Sequence, residues 1–163
     1  MSSVSFRLEP AAERHLPLIL RFINELAEYE KLGHEVVATE EGLRESFLGP
    51  RPAAEAVVAF AGDEPAGFAV YFQTFSTFLG RPGLYLEDLY VTPAWRRHGL
   101  GRKLLAHVAR IAVERRYGRM EWSVLDWNEL ALGVYRRIGA QPMDEWTVQR
   151  LTGAALRDLA ASA

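Results

Sequence analysis

Cysteine is absent from all 163 residues. That excludes disulfides, thiolate metal sites and a covalent acyl-cysteine intermediate. A charge of one sign is lacking too: 19 Lys and Arg stand against 21 Asp and Glu, a formal net charge of -2. No global basic field is present to gather nucleic acid. No apolar run approaches the roughly 18 residues that would span a bilayer. The opening MSSVSFRLEP has no apolar signal core, so the expectation is a cytoplasmic protein with no membrane partner. Repeats, low-complexity tracts and linkers are missing as well. What remains is 49% hydrophobic and 25% charged, a composition that buries a core and is not disordered. The length predicts a single domain over residues 1–163.

Hydrophobic periodicity gives an element order. Val4 to Leu8 alternates like a first strand. From Pro10 a helical pattern follows, with Leu16, Ile19, Leu20, Ile23, Leu26 and Ala27 on one face. Thr39 is a candidate N-cap for a short helix through Phe47, which Gly49-Pro50 breaks. Ala56 to Ala61 and Gly67 to Phe75, joined by Gly62-Asp63-Glu64-Pro65, predict a hairpin. Leu84 to Val91 is the next strand, and Leu100 to Ala112 a core-facing helix with Gly118 as its C-cap residue. Met120 to Leu125 reads as a strand, Asn128 to Ile138 as a helix closed by Gly139, and Trp146 to Leu151 as a last strand. Thr152 can cap a terminal helix. The order predicts an α/β (α+β) sandwich with a mixed sheet.

The chemistry concentrates in Leu84 to Leu105, LYLEDLYVTPAWRRHGLGRKLL. A strand carrying Glu87 and Asp88 runs into a basic loop, Arg96-Arg97-His98-Gly99-Leu100-Gly101, and then into a helix. Glycines that let backbone approach a ligand, flanked by Arg96, Arg97, Arg102 and Lys103, suit a pyrophosphate at a helix N-terminus. Spacing alone leaves an ordinary turn with solvated arginines equally open. Other phosphate motifs fit worse. There is no Walker A loop, and Leu104 stands where a dinucleotide fingerprint needs its third glycine, although Glu121 lies where a ribose-binding acid would be wanted. Taken singly, Glu87 and Asp88 read as solvent-facing acids, Tyr135 as a core aromatic and Asn128 as a helix N-cap. His15, His34 and His107 have no metal-ligand spacing, so no metal site is expected.

Arg96-x-x-Gly99-x-Gly101 between strand and helix resembles the acetyl-CoA signature of the GCN5-related N-acetyltransferase (GNAT) superfamily. YLEDLYV, Asp126-Trp127-Asn128-Glu129, Val134-Tyr135-Arg136-Arg137-x-Gly139-Ala140 and Glu25-Leu26-Ala27-x-Tyr29-Glu30 together resemble its diamine (spermidine/spermine) N-acetyltransferase family. The resemblance implies a mostly antiparallel sheet of six to seven strands, splayed at its centre and flanked by helices. It implies acetyl-CoA as co-substrate, a small-molecule amine as acceptor and a homodimer. It implies that the backbone of Leu89, Tyr90 and Val91 pairs with the pantetheine arm. The loop through Arg96, Arg97, His98, Gly99, Leu100, Gly101 and Arg102 would hold the pyrophosphate. Asn128 and Tyr135 would lie near the thioester, and Tyr29, Glu30, Glu87 and Asp88 would face the amine.

Those residue types suit acyl transfer. An alkyl ammonium, with a pKa of about 10.4, must lose a proton before it attacks. Glu87, directly or through water, can accept that proton, and Tyr135 can protonate the departing thiolate. In a regular strand Glu87 and Asp88 point to opposite faces, unless a bulge re-aims one of them. The loop from Thr74 to Arg81 supplies no carboxylate for a polyamine. Its Ser76-Thr77 instead resembles the thialysine N-epsilon-acetyltransferase branch, whose lysine-like substrates carry their own carboxylate. The stretch Gln141 to Glu145 is shorter than the family pattern, leaving Asp144 or Glu145 to serve as the acid there. A non-catalytic acyl-CoA sensor on the same fold, acceptors such as an amino acid or a protein N-terminus, and a dinucleotide-dependent oxidoreductase are the competing readings.

Overall fold

The computed structural model describes residues 4–163. These form two compact units, one running up to Ser123 and the other beginning at Val124.

In the first unit the strands are β1 (Phe6–Pro10), β2 (Glu55–Ala61), β3 (Glu64–Ser76), β4 (Arg81–Val91) and β5 (Met120–Glu121), in spatial order β1-β2-β3-β4-β5. The first four pair antiparallel, and β5 joins β4 in parallel. Helices α1 (Leu16–Tyr29) and α2 (Glu40–Leu48) precede β2, and α3 (Leu100–Glu114) makes the crossover from β4 to β5. Alternation along the strands divides the core. Ile19 and Phe22 of α1 pack with Ala56, Val58, Phe68, Val70 and Tyr90 on one sheet face. The opposite face receives α3, whose Leu100, Leu104, Leu105, Val108 and Ala112 are buried. Each large aliphatic or aromatic side chain so buried contributes about 1.5–3 kcal/mol.

Gly67 allows the closest approach in this sheet. A Cβ there would lie 2.3 Å from the Tyr90 carbonyl oxygen, so no side chain fits without the strands moving apart.

Several boundaries differ from the sequence reading. Pro10 ends β1 and does not open a helix; a 3-10 turn at Glu13–His15 intervenes before α1. Helix α3 stops at Glu114, short of Gly118. Its end is a Schellman motif: the Tyr117 N–H donates to Ala112 O (2.9 Å) and the Arg116 N–H to Val113 O (3.0 Å). Arg116 takes the left-handed position, φ 58°, so glycine was the wrong marker there. The strand expected over Met120 to Leu125 covers only Met120–Glu121. Trp146 to Leu151 forms no strand. An alternating run becomes a strand only where a neighbour supplies a ladder, and this one has none among the described residues. Among the described residues the sheet accordingly has five strands, not six to seven.

The second unit carries two helices, α4 (Glu129–Arg137) and α5 (Gly153–Ala161). Asn128 caps α4, its Oδ1 accepting from the Ala131 N–H at 3.2 Å. Thr39 caps α2 in the same way through the Gly42 N–H, 3.1 Å. Thr152 occupies the N-cap position of α5 without a side-chain bond.

Candidate active site

β4 changes character along its length. Leu84 and Tyr85 are laddered on both sides, to β3 and to Met120 and Glu121 of β5. Beyond Tyr85 the side away from β3 has no ladder partner among the described residues. Leu89, Tyr90 and Val91 lie in this half-open stretch, as an edge that could pair with amides of a ligand would require. The Val91 carbonyl already accepts from Arg96 Nε at 3.1 Å.

The change coincides with a bulge. Tyr71 of β3 pairs with Leu86, but the next residue, Val70, pairs with Asp88, so Glu87 is the extra residue. Two acids adjacent in sequence are thereby freed from strictly opposite faces. Asp88 shares the α1 face with Tyr90, two residues on, and Glu87 is exposed. Burial pushes the Asp88 carboxyl up to about 6, and the negative charges of Glu87 and then Glu30 add to the shift.

Glu30 arrives from α1. It is the C-cap residue, held by a second Schellman motif: Lys31 N–H donates to Glu28 O (3.0 Å), and Leu32 N–H to Ala27 O (2.8 Å). Burial raises the pKa of its carboxyl also. Glu30 and Asp88, both partly desolvated, and the exposed Glu87 thus form an acidic cluster in which like charge falls on the Asp88 carboxyl. Such a cluster is relieved by a cation of the size of an ammonium group.

The loop after β4 presents backbone donors. The first intrahelical bond of α3 runs from the Lys103 N–H to Gly99 O, 3.0 Å, which leaves the N–H groups of Leu100, Gly101 and Arg102 at the positive end of the helix dipole. Arg97 (φ 66°) and Gly99 (φ 82°) are both left-handed, with His98 between them outside that region. Turns of this kind converge N–H groups into an anion-binding concavity. A Cβ on Gly99 would meet nothing within 4 Å, so the space above it is open to a ligand. His98 donates from Nδ1 to the Arg96 carbonyl at 2.8 Å. Arg96, Arg97, His98 and Arg102 are all exposed. At the base of the loop, Thr92 Oγ1 and Trp95 Nε1 are buried without a hydrogen-bond partner, and nothing in the spacing of the sequence signalled them. These features fit the pyrophosphate and amide arm of coenzyme A.

Other candidate residues sit elsewhere. Ser76 closes β3, is buried, and accepts from the Leu79 N–H at 3.2 Å. Thr77 is exposed in the turn beyond it. From Tyr71 to Ser76 the strand runs about 17 Å at its usual rise, so the hairpin tip is well removed from the acids of the same chain. Tyr135 lies in α4, two helical turns after the capping Asn128. His15 is buried as part of a turn: its Nδ1 accepts from the Ala12 N–H (3.0 Å), which leaves Nε2 to donate to Glu9 (3.1 Å). Among the described residues no group of His, Asp and Glu gathers as a metal site would. No helix among them is long and apolar enough to cross a membrane.

A strand with a half-open ladder, leading through a left-handed loop to a helix N-terminus, defines an α/β domain with an anion site beside an open strand edge. Residues 21–140 match the Acetyltransferase (GNAT) family, and the chain belongs to that family: it is an acetyltransferase. It is 38% identical to the thialysine N-epsilon-acetyltransferase of Mus musculus over 96% of this chain and 98% of that one. It is 31% identical to an L-ornithine N5-acetyltransferase of Arabidopsis thaliana, over 93% of this chain and 86% of that one. Among solved structures, an integron cassette protein from the mobile metagenome of V. cholerae superposes with a TM-score of 0.77 at 27% identity, covering 96% of this chain and 98% of that one.

Proposed function

We propose that this enzyme acetylates the primary side-chain amine of a lysine-like small molecule by direct transfer from acetyl-CoA. The observation that carries the reading is the desolvated Asp88 carboxyl, with the charges of Glu30 and the exposed Glu87 beside it, at the half-open end of β4. A substrate bringing one ammonium to these acids, and its own carboxylate elsewhere, matches a loop without further acids at Thr74 to Arg81. The names of the relatives, thialysine and ornithine acetyltransferases, point to the same substrate class.

In this reading the backbone N–H groups of Leu100, Gly101 and Arg102, with the loop at Arg97, His98 and Gly99 that Arg96 opens, hold the pyrophosphate. Leu89 to Val91 align the arm, with Asn128 near its end. When bound, acetyl-CoA supplies an acetyl thioester. Glu30 and Asp88, with Tyr29 alongside, hold the ammonium. Glu87, the exposed acid of the bulge, takes its proton, directly or through water. The nitrogen then attacks without an enzyme nucleophile. An N–H of Leu89 or Tyr90 stabilises the developing oxyanion, and the Tyr135 phenol gives its proton to the departing sulfur. Ser76 and Thr77 select the substrate. The chain length suits a single domain and the absence of a long apolar run a cytoplasmic protein; the homodimer is what the family resemblance implies.

The test is acetyl-CoA calorimetry followed by mass spectrometry of a pool of thialysine, lysine, ornithine and polyamines. Binding with acetylation of the amino-acid amines is expected. Failure to bind acetyl-CoA would sink the reading, and binding without transfer to any amine would make the protein an acyl-CoA sensor.

A further inference from the structure

Arg96 opens the glycine loop, yet its guanidinium is directed at tyrosines. Its Cζ lies 5.2 Å from the centroid of the Tyr29 ring and 5.9 Å from that of Tyr90. Its Nε is spent on the Val91 carbonyl. The Tyr90 hydroxyl in turn donates to Glu25 Oε2 at 2.8 Å, one helical turn before Tyr29 on α1. Glu25 Oε1 pairs with Arg21 Nε at 3.3 Å. The last turns of α1, the open half of β4 and the first residue of the loop are therefore joined through one arginine and two aromatic rings.

This junction sits where the amine half of the site begins. Tyr29 is the last residue of α1, and Glu30 is the C-cap. A guanidinium stacked on Tyr29 and bonded to the strand fixes where that helix end sits over β4, and hence where the Glu30 carboxyl stands relative to Glu87 and Asp88. Arginine suits the task because its planar group covers an aromatic face and donates in its own plane at the same time. A lysine ammonium can do one or the other.

We infer that Arg96 is a positioning residue for the amine half of the site: its side chain clamps the end of α1 onto β4, while phosphate is left to the loop backbone, Arg97 and Arg102. The inference rests on the proposed amine acetylation for its kinetic consequence, but the clamp itself is a property of the ligand-free protein.

Amide hydrogen exchange on the ligand-free full chain separates the two. Arg96→Gln should speed exchange at residues 26–32 by about tenfold, within the range of a lost cation–π contact, and leave the first turn of α3 unchanged. Acetyl-CoA affinity should fall less than about threefold while the KM for the amine rises about tenfold, with kcat at saturating amine nearly kept. Arg96→Lys should resemble Arg96→Gln. Tyr29→Leu, which leaves the loop untouched, should reproduce both effects. Full rescue by lysine would overturn the clamp, because charge alone would then suffice. So would a tenfold loss of acetyl-CoA affinity with unchanged exchange at 26–32. If the wild-type chain acetylates no amine, the functional reading fails, and the exchange data still decide the clamp.

Discussion

The two halves of β4 are made from the same strand but answer to different demands. Arg81 to Leu86 is paired to β3 throughout and gains β5 at Leu84 and Tyr85; Gly83, Leu84 and Leu86 are buried there. Glu87 to Val91 keeps only the β3 ladder, begins with an unpaired extra residue, and carries two acids. The first half is held from both sides and stabilises the sheet. The second half leaves polar groups available and pays for that with a desolvated Asp88. The proposed site begins where the ladder is incomplete.

The largest effect that would sharpen this contrast belongs to the open half. Glu87→Gln should lower kcat/KM at neutral pH by roughly 100-fold or more, as for loss of a general base, with little change in Tm because Glu87 is exposed and outside the ladder. The deficit should shrink toward a pH of about 10, where the amine sheds its own proton. A deficit constant across that rise in pH would remove Glu87 from the base role. In the closed half, Leu84→Ala should do the reverse. Leu84 is 1% exposed, and truncating it should cost about 2–5 kcal/mol in denaturant unfolding, while the fraction still folded turns over at the normal rate.

Asp88→Asn tests the cost of opening the strand. In the folded protein Asp88 titrates at about 6 against an ordinary 3.8, so the folded state binds the proton more tightly than the unfolded one. Stability therefore falls as pH rises from about 4 to about 6 and stays low above that. The variant should be more stable than wild type above a pH of about 6, by roughly 1–3 kcal/mol, and gain nothing below about 4. A gain that is constant across pH would show packing, not charge, at work. The smallest effect returns to the closed half. Tyr85→Phe removes an exposed 2.6 Å bond between the Tyr85 hydroxyl and Ser123 Oγ. It should cost about 0.5–1.5 kcal/mol and leave catalysis intact. A kinetic phenotype there would blur the division of the strand.

Much of this is legible in the amino-acid sequence alone. Periodicity finds α1 and α3 because each has one face in the core, and β2 and β3 show as short apolar runs because both of their faces are buried. The caps at Thr39 and Asn128 are legible because their bonds are local. Features that depend on a distant partner are not. Nothing in Met120 to Leu125 says that the ladder ends after Glu121, and the alternation of Trp146 to Leu151 looks like a strand whether or not a neighbour exists. Arg116 and Lys31 take left-handed positions where glycine is the usual signal, since a Schellman hydrogen-bond pair offsets the strain. The acids are visible as a pair, but their placement is not. Alternation would send them to opposite faces, and only the register between β3 and β4 shows Glu87 to be supernumerary.

The supernumerary place of Glu87 has a consequence for the register. If Glu87 were deleted, Leu86 and Asp88 would become consecutive and would pair with Tyr71 and Val70 without interruption. The sheet would be more regular for its loss, and the glycine loop would be untouched. The residue proposed to take the amine's proton is thus one that the β3–β4 register does not use. On that mechanism, a single codon separates an acetyltransferase from a folded protein that holds its acyl donor and does nothing with it.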